Sequence, residues 1–157
     1  MRLALAVFCL LAGTAIGLYR SAELKKREIL LAEIIQLLEN MAVQIRYRAL
    51  PLGELFETLN GGLFLGAVLE NADINKREAW NAAADEFPAL KEEREILLSI
   101  GNSLGSSDTA GQIAMLELNK ELLASRLAEA SDAAARKSAM YRSVGILAGL
   151  GLAIIVV

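Results

Sequence analysis

The sequence predicts an all-α protein, an antiparallel helical-bundle cytoplasmic domain flanked by N- and C-terminal transmembrane helices. Apolar segments stand at both ends of the 157-residue chain, at 3–19 and 144–157, and all nineteen acidic residues lie between them. Between these segments, apolar residues recur at intervals of three, four and seven, the pattern of helices with one buried face. The predicted divisions are an N-terminal transmembrane helix at 1–20, a cytoplasmic domain at 21–139 and a C-terminal transmembrane helix at 140–157.

The first apolar segment is predicted to be an uncleaved membrane anchor. Its seventeen residues reach the lower limit of a spanning helix and exceed the usual core of an export signal. The small residues at 12–15 are followed by further apolar residues, and the helical pattern continues past Arg20. A cleaved export signal is the alternative interpretation.

The second apolar segment is short. Its fourteen residues cover about 21 Å of a hydrocarbon core about 30 Å thick. Met140 and Tyr141 extend the segment, and bilayer thinning would absorb the remaining mismatch. Because no charged residue follows Arg142, we expect insertion into the membrane; the alternative is an apolar tail packed on the domain.

Basic residues beside the two segments predict the orientation, because Lys and Arg near membrane spans are retained on the cytoplasmic side. Only Arg2 lies outside the pair of segments. The basic residues on the inner side are Arg20, Lys25, Lys26, Arg27, Arg136, Lys137 and Arg142. The middle domain is therefore predicted to be cytoplasmic, with both termini toward the opposite side.

Composition excludes several classes of function. The domain at 21–139 carries thirteen basic and nineteen acidic residues, a net charge of −6, which disfavours nucleic acid as a partner. The chain has no histidine, and its single cysteine, Cys9, lies in the first apolar segment. Zinc sites built on thiolate or imidazole, Ser/His/Asp and Cys/His nucleophiles, and a disulfide framework are therefore excluded. No cofactor, metal site or catalytic residue is predicted.

A long first helix is predicted to join the membrane segment to the domain. Its apolar stripe continues to Ile45, and neither Pro nor Gly interrupts 18–50. A single rod from residue 3 to about residue 48 would be about 69 Å long. Pro51 is predicted to end this helix or to start the next one.

Several short helices are predicted to follow. Turn residues separate them at 60–62, at 71–73 and near Pro88, since Gly and Asn tolerate positive φ and Pro disfavours helix at the preceding residue. Trp80 shares a helical face with Ala83, Ala84 and Phe87 and is predicted to anchor the core rather than to stack on a ligand.

An acidic run follows Trp80 and has two interpretations. Charge runs are typical of a solvated face, and they also suit a docking face for a basic partner. The run comprises Asp85, Glu86, Glu92, Glu93 and Glu95.

A turn and a helix start are predicted after residue 100. The glycine-rich block at 101–108 resembles a phosphate loop, but no Lys-Ser/Thr follows it and no strand is predicted before it. A C-cap glycine followed by an N-cap is the preferred interpretation. Thr109 and Gln112 fit a capping box, with Asp108 as the competing cap. The following helix has no break before Gly145 and is predicted to enter the membrane as a second rod.

Both apolar segments contain a small-xxx-small pair, Gly13 with Gly17 and Gly145 with Gly149. Such pairs permit close approach of helix backbones in a membrane. A contact within the chain, a homo-oligomer and another membrane subunit are all open as partners.

Three blocks of the sequence resemble the stage III sporulation protein AB family of endospore-forming bacteria. They are 45–52, 101–108 with Gln112, and 141–151. The resemblance spans nearly the whole chain. Its most specific part is the arrangement Leu-Gly-x-Ser-Asp-x-x-x-Gln, formed by Leu104, Gly105, Ser107, Asp108 and Gln112.

The resemblance implies a non-enzymatic platform subunit of the secretion-like channel between mother cell and forespore, located in the mother-cell membrane and needed for endospore formation. It implies a helical domain similar to the inner-membrane platform protein of type II secretion and type IV pilus machines, acting beside a cytoplasmic ATPase and other channel subunits. Those platform proteins contain two copies of the domain, whereas this chain has one. A homo-oligomer is one way to form a larger platform.

Two other functions are retained as hypotheses. The first is a membrane-anchored helical adaptor in cell division or envelope assembly. The second is a membrane-bound enzyme that uses carboxylates alone, with candidates Glu23, Glu28, Asp108 and Glu117, although their spacing does not bring any two together.

Overall fold

All secondary structure in the described part of the chain is helical. A computed structural model describes residues 2–48, 52–71 and 75–156, with side chains described within 22–48, 54–71 and 75–137 and at 140. The predicted all-α class is confirmed. The elements are α1 (Arg2–Arg48), α2 (Leu52–Thr58), α3 (Leu63–Glu70), α4 (Lys76–Glu86), a 3₁₀ turn (Pro88–Leu90), α5 (Arg94–Ser103) and α6 (Thr109–Val156).

The two long helices form the frame of the protein. α1 has 47 residues and α6 has 48, which corresponds to about 70 Å each, so both predicted rods are confirmed as continuous backbone helices. They pack antiparallel: Arg46 lies beside Glu117, while Lys137 shares a cleft with Arg27. The beginning of α1 and the end of α6 therefore meet at one end of the domain, here called the terminal end. The opposite end, where α1 stops and α6 starts, is called the distal end.

Within the residues that the structure describes, no helix is long and apolar enough to cross a membrane. Apart from Met140, the side chains of the predicted transmembrane segments, 1–20 and 140–157, lie outside the described part. Packing at Gly13, Gly17, Gly145 and Gly149 also lies outside it, as does Pro51.

The short helices pack on the frame and enclose a single hydrophobic core. α3, α4 and α5 contact one another in chain order; α3 and the 3₁₀ turn contact α1, and α5 contacts α6. The predicted breaks at 60–62 and near Pro88 are confirmed, whereas residues 72 and 73 of the predicted break at 71–73 lie outside the described part. The largest fully buried side chains of the core are Trp80, Phe56, Phe64, Leu30, Leu31, Ile34, Leu38, Met41, Leu55, Leu65, Leu90 and Leu97.

Trp80 lies at the centre of this core, as predicted. Its ring is fully buried and meets Phe64 edge-on, with ring centroids 4.9 Å apart and planes at 73°. Phe56 packs on it with centroids 6.3 Å apart. The indole Nε1 donates a 2.8 Å hydrogen bond to the Leu97 carbonyl, so the one polar atom of the ring is satisfied. Trp80 thereby connects α2, α3, α4 and α5.

The close approach of α5 to Trp80 requires a residue without a side chain at position 101. A Cβ on Gly101 would lie 2.6 Å from Trp80 Cδ1 and 2.3 Å from Asn81 Oδ1. Both distances are well below van der Waals contact, so α5 would have to move outward. Gly101 is therefore a packing residue of the core.

The N-terminus of α3 is capped from another helix. Its N-cap residue is Gly62, which has no side chain to accept a hydrogen bond. Glu33 of α1 supplies the acceptors: Oε2 receives the amide of Leu63 at 2.9 Å, and Oε1 receives the amide of Phe64 at 2.7 Å. A carboxylate at this position satisfies free amides and suits the positive end of the helix dipole. Glu33 thus fixes α3 on α1.

Candidate functional site

The block that carries the family resemblance forms the turn between α5 and α6 at the distal end. Leu104 (φ −61°, ψ 123°) and Gly105 (φ 70°) are the central residues of a type II turn. A 3.2 Å hydrogen bond from Ser106 N to the Ser103 carbonyl closes it. This turn type needs positive φ at its third residue, which glycine adopts without strain. The predicted glycine at the end of α5 is therefore confirmed.

Gln112 holds this turn from the first turn of α6. The side chain is buried, and its Oε1 accepts a 3.1 Å hydrogen bond from the amide of Gly105. Its Nε2 donates to the Ser103 carbonyl and to Ser107 Oγ, both at 2.9 Å. All three bonds reach the same short turn, so the buried amide is satisfied and the turn is fixed in one conformation. We call residues 103–107 with Gln112 the distal clamp.

The helix cap beside the clamp is Asp108, so the predicted capping box of Thr109 and Gln112 is wrong. Asp108 Oδ1 accepts a 3.0 Å hydrogen bond from the amide of Gly111, and α6 begins at Thr109. A capping box needs the glutamine to turn back toward its own cap. Gln112 is instead committed to three partners in the clamp, which leaves the shorter carboxylate to cap the helix.

The guanidinium of Arg77 ties the clamp to α4. Arg77 Nη2 donates a 3.2 Å hydrogen bond to the Leu104 carbonyl. Nearby, Asn81 of α4 donates to Asn102 Oδ1 at 3.1 Å. The clamp therefore connects α4, α5 and α6.

The predicted acidic face is partly occupied by ion pairs. Asp85 and Arg94 form an exposed bidentate pair, with Nε to Oδ1 at 2.5 Å and Nη2 to Oδ2 at 3.1 Å. The hydrogen bond to Asp85, followed by its charge, raises the pKa of Arg94. Glu86 and Glu95 are exposed, and neither has an ion-pair partner among the described residues.

Glu93 does not belong to this face, which corrects the prediction. Its side chain is fully buried and its Oε1 accepts a hydrogen bond from Arg27 Nη2. The same nitrogen lies 2.8 Å from Oε2 of the exposed Glu92. Burial lowers the pKa of Arg27, but the hydrogen bond and charge of Glu93, with those of Glu92, raise it above its ordinary value overall. Arg27 therefore stays charged throughout the physiological pH range.

A cleft of about 290 Å³ opens beside this pair at the terminal end. It lies between α1, the 3₁₀ turn with the residues after it, and α6, and we call it the terminal cleft. Five of its eight lining residues are charged: Glu23, Arg27, Lys91, Glu92 and Lys137; the others are Leu24, Pro88 and Ala89.

Three of the four carboxylates proposed for an enzyme are separated in the structure. Glu23 lines the terminal cleft, whereas Asp108 caps α6 at the distal end. Glu117 pairs with Arg46 at 2.8 Å. Within the described residues, no group of three or more Cys, Asp or Glu side chains is arranged to hold a metal ion. Glu23, Asp108 and Glu117 therefore do not share a site.

Comparison with known proteins settles the family. The family model described as Stage III sporulation protein AB matches residues 2–157. The chain belongs to this family. No curated protein and no solved structure matches the chain. The resemblance predicted from the sequence is confirmed, and membership in the stage III sporulation protein AB family assigns the protein a role in sporulation.

The sequence pattern did not reveal the roles of Arg27, Glu93 and Glu33. Arg27 stands in the apolar stripe of α1, four residues before Leu31, and Glu93 stands just before α5, four residues before Leu97. A charged residue at a stripe position is the signal that could have identified both as buried partners. For Glu33, the signal was the predicted helix start after Gly61 and Gly62. Glycine has no side chain to accept hydrogen bonds from the first amides of the helix, so another segment must provide the acceptor.

Proposed function

We propose that this protein is a non-enzymatic structural subunit of the membrane channel complex between mother cell and forespore. Its helical domain lies in the cytoplasm, and the terminal parts of α1 and α6 insert into the mother-cell membrane around the forespore. The observation that carries the proposal is that both long helices run without a break from the core to the apolar segments. Family membership supports the setting in sporulation.

The described packing suits a mechanical role. α1 and α6 share a longer contact than any other two helices of the described part, and buried side chains of both helices belong to one core. At the distal end, the clamp fixes the start of α6 on α5. A force on the short helices would therefore reach both long helices, and a continuous helix passes displacement along its axis with little loss.

Helix continuity can be tested by insertion after Arg20. A Gly-Ser linker there should abolish spore formation, because it uncouples the domain from the apolar segment. The matched control is an Ala-rich helical insert of the same length, which keeps the rod intact. We expect the control to sporulate and both variants to reach the membrane fraction at equal levels. Normal sporulation with the Gly-Ser linker would refute the mechanical proposal.

The cytoplasmic ATPase of the complex is the proposed partner of the acidic face. Glu93 is buried and Asp85 is paired with Arg94. The face therefore consists of the exposed side chains of Glu86, Glu92 and Glu95. Electrostatic docking of this kind weakens with salt. The variant E86K/E95K should lose co-purification with the ATPase at low salt, whereas E54K/E57K, which reverses two exposed charges on α2, should retain it. Equal recovery in both variants would exclude this face.

An adaptor in cell division or envelope assembly is the alternative function. Cross-linking and mass spectrometry of the purified membrane complex distinguish the two. Cross-links to channel subunits and the ATPase support the channel proposal, while cross-links to division proteins support the adaptor. Cross-links between two copies of one peptide would show a homo-oligomer.

A further inference from the structure

We infer that the terminal cleft binds the headgroup of an anionic phospholipid, with Lys91 and Lys137 as its principal contacts. The inference rests on the proposed membrane placement and adds to it a ligand and a site. The cleft volume of about 290 Å³ equals that of about ten water molecules, and its charged lining suits a small polar group rather than an apolar one.

The cations that the cleft offers to a ligand are its two lysines. Arg27 is already engaged by both Glu92 and the buried Glu93, a group of one cation and two anions. Of the remaining charged lining residues, Lys91 and Lys137 are cations and Glu23 is the one anion. Neither lysine has an ion-pair partner among the described residues. A phosphate group in the cleft would give these two ammonium groups a partner.

Two further lysines extend the positive surface along α1. Lys25 and Lys26 are both exposed, and Lys26 Nζ lies 5.8 Å from the centroid of the Phe87 ring. That distance permits a cation–π contact that holds the ammonium beside the 3₁₀ turn. Basic residues therefore lie on α1, on the segment before α5 and on α6, and three of them, Arg27, Lys91 and Lys137, line the cleft.

The distribution of charge along the chain points the same way. Residues 20–28, 88–95 and 129–142 together carry nine basic and seven acidic residues, whereas 29–87 and 96–128 carry six basic and twelve acidic residues. Because α1 and α6 are antiparallel, the basic residues at the start of the domain and those near the end of α6 come to the same end of the domain. An anionic bilayer surface attracts this end and repels the acidic remainder. Each lysine near such a surface strengthens binding by about fivefold.

The test uses the full-length protein in nanodiscs made from an equimolar mixture of phosphatidylglycerol and phosphatidylcholine. Native mass spectrometry after release into detergent counts the lipids that each protein retains. The wild type should enrich phosphatidylglycerol, and K91Q/K137Q should lose up to about 25-fold of that enrichment. The control K76Q/K120Q removes two lysines away from the cleft and should behave as wild type.

Three results would overturn the inference. They are equal retention of both lipids by the wild type, unchanged enrichment in K91Q/K137Q, and thermal stabilisation by inorganic phosphate as large as that by phosphatidylglycerol, which would identify a free-anion site. Trp80 fluorescence checks that the variants are folded. Flotation with phosphatidylcholine vesicles tests the proposed membrane placement separately, because insertion there needs no anionic lipid.

Discussion

The guanidinium of Arg27 on α1 binds the fully buried carboxylate of Glu93 at the start of α5. Within the described residues, Glu93 Oε2 and Arg27 Nε have no hydrogen-bond partner. The buried carboxylate depends on Arg27 for compensation, whereas Arg27 has the exposed Glu92 as a second partner. A buried charge that loses its partner is far more costly than the pair itself is stabilising.

Removal of either charge alone should therefore destabilise the domain. We expect Arg27→Ala to lower the free energy of unfolding by about 3–5 kcal/mol, because it leaves a buried carboxylate without a cation. The double variant R27M/E93L should recover most of this loss. Denaturant unfolding of the full-length protein in detergent, followed by the fluorescence of its single tryptophan, Trp80, measures both. A double variant as unstable as the single one would contradict the pairing.

The cap of α6 can be assigned by two neighbouring substitutions. Asp108→Ala removes the acceptor of the Gly111 amide and should cost about 1 kcal/mol. Thr109→Ala should change stability by less than about 0.5 kcal/mol, since the exposed threonine is inside the helix and not its cap. The same unfolding measurement compares them, and a larger cost for Thr109→Ala would restore the capping box.

Gln112→Ala should loosen the distal clamp. The substitution leaves the Gly105 amide without its acceptor and removes one of the donors to the Ser103 carbonyl, and we expect a loss of about 1–3 kcal/mol. Amide hydrogen exchange should rise first at Gly105. Gln36→Ala, at an exposed position of α1, is the control for loss of a glutamine. Unchanged exchange in the clamp would show that Gln112 does not hold it.

Two glycines should respond to alanine with opposite signs. Gly105 has φ 70°, so Gly105→Ala forces an L-residue into the left-handed region at a cost of about 1–2 kcal/mol. Gly66 lies inside α3, and a Cβ there meets nothing within 4 Å. Gly66→Ala should stabilise by up to about 1 kcal/mol through helix propensity. The thermal unfolding midpoint, measured by circular dichroism, should fall in Gly105→Ala and rise in Gly66→Ala. A higher midpoint in Gly105→Ala would exclude the type II turn.

Glu33→Ala should detach the start of α3 from α1. Two backbone amides lose their acceptor, which should cost about 0.5–2 kcal/mol, as for other helix caps. Glu39→Ala removes an exposed carboxylate from the same helix and should have little effect. A similar cost for both substitutions would mean that the effect comes from helix charge and not from capping.

The hydrophobic pattern predicted the helices well because their buried faces repeat along the chain. Trp80, the breaks beside Gly61 and Pro88, and both long helices follow from local rules of periodicity and turn formation. Those rules consider only residues close together in the sequence. Helices and turns can be predicted in this way because their backbone hydrogen bonds also join residues close together in the sequence.

The polar contacts were harder to predict because their partners are distant in sequence. Glu93 looks like its acidic neighbours until α1 brings Arg27 to it, 66 residues away. The partners of Gln112 lie within nine residues of it, yet the glutamine fits two hydrogen-bonding roles, and the position of the Ser103 carbonyl decides between them. Tertiary geometry, which no local pattern encodes, selects the partner in each case.

The contact between α1 and α6 also determines when the domain can fold. α1 leaves the ribosome before α6, and core residues of α6 extend to Ala130. The apolar stripe of α1, from Leu30 to Ile45, is therefore only partly covered until α6 has been made, and closure of the core must await that helix. Early attachment of the first apolar segment to a membrane would keep nascent copies apart during that interval.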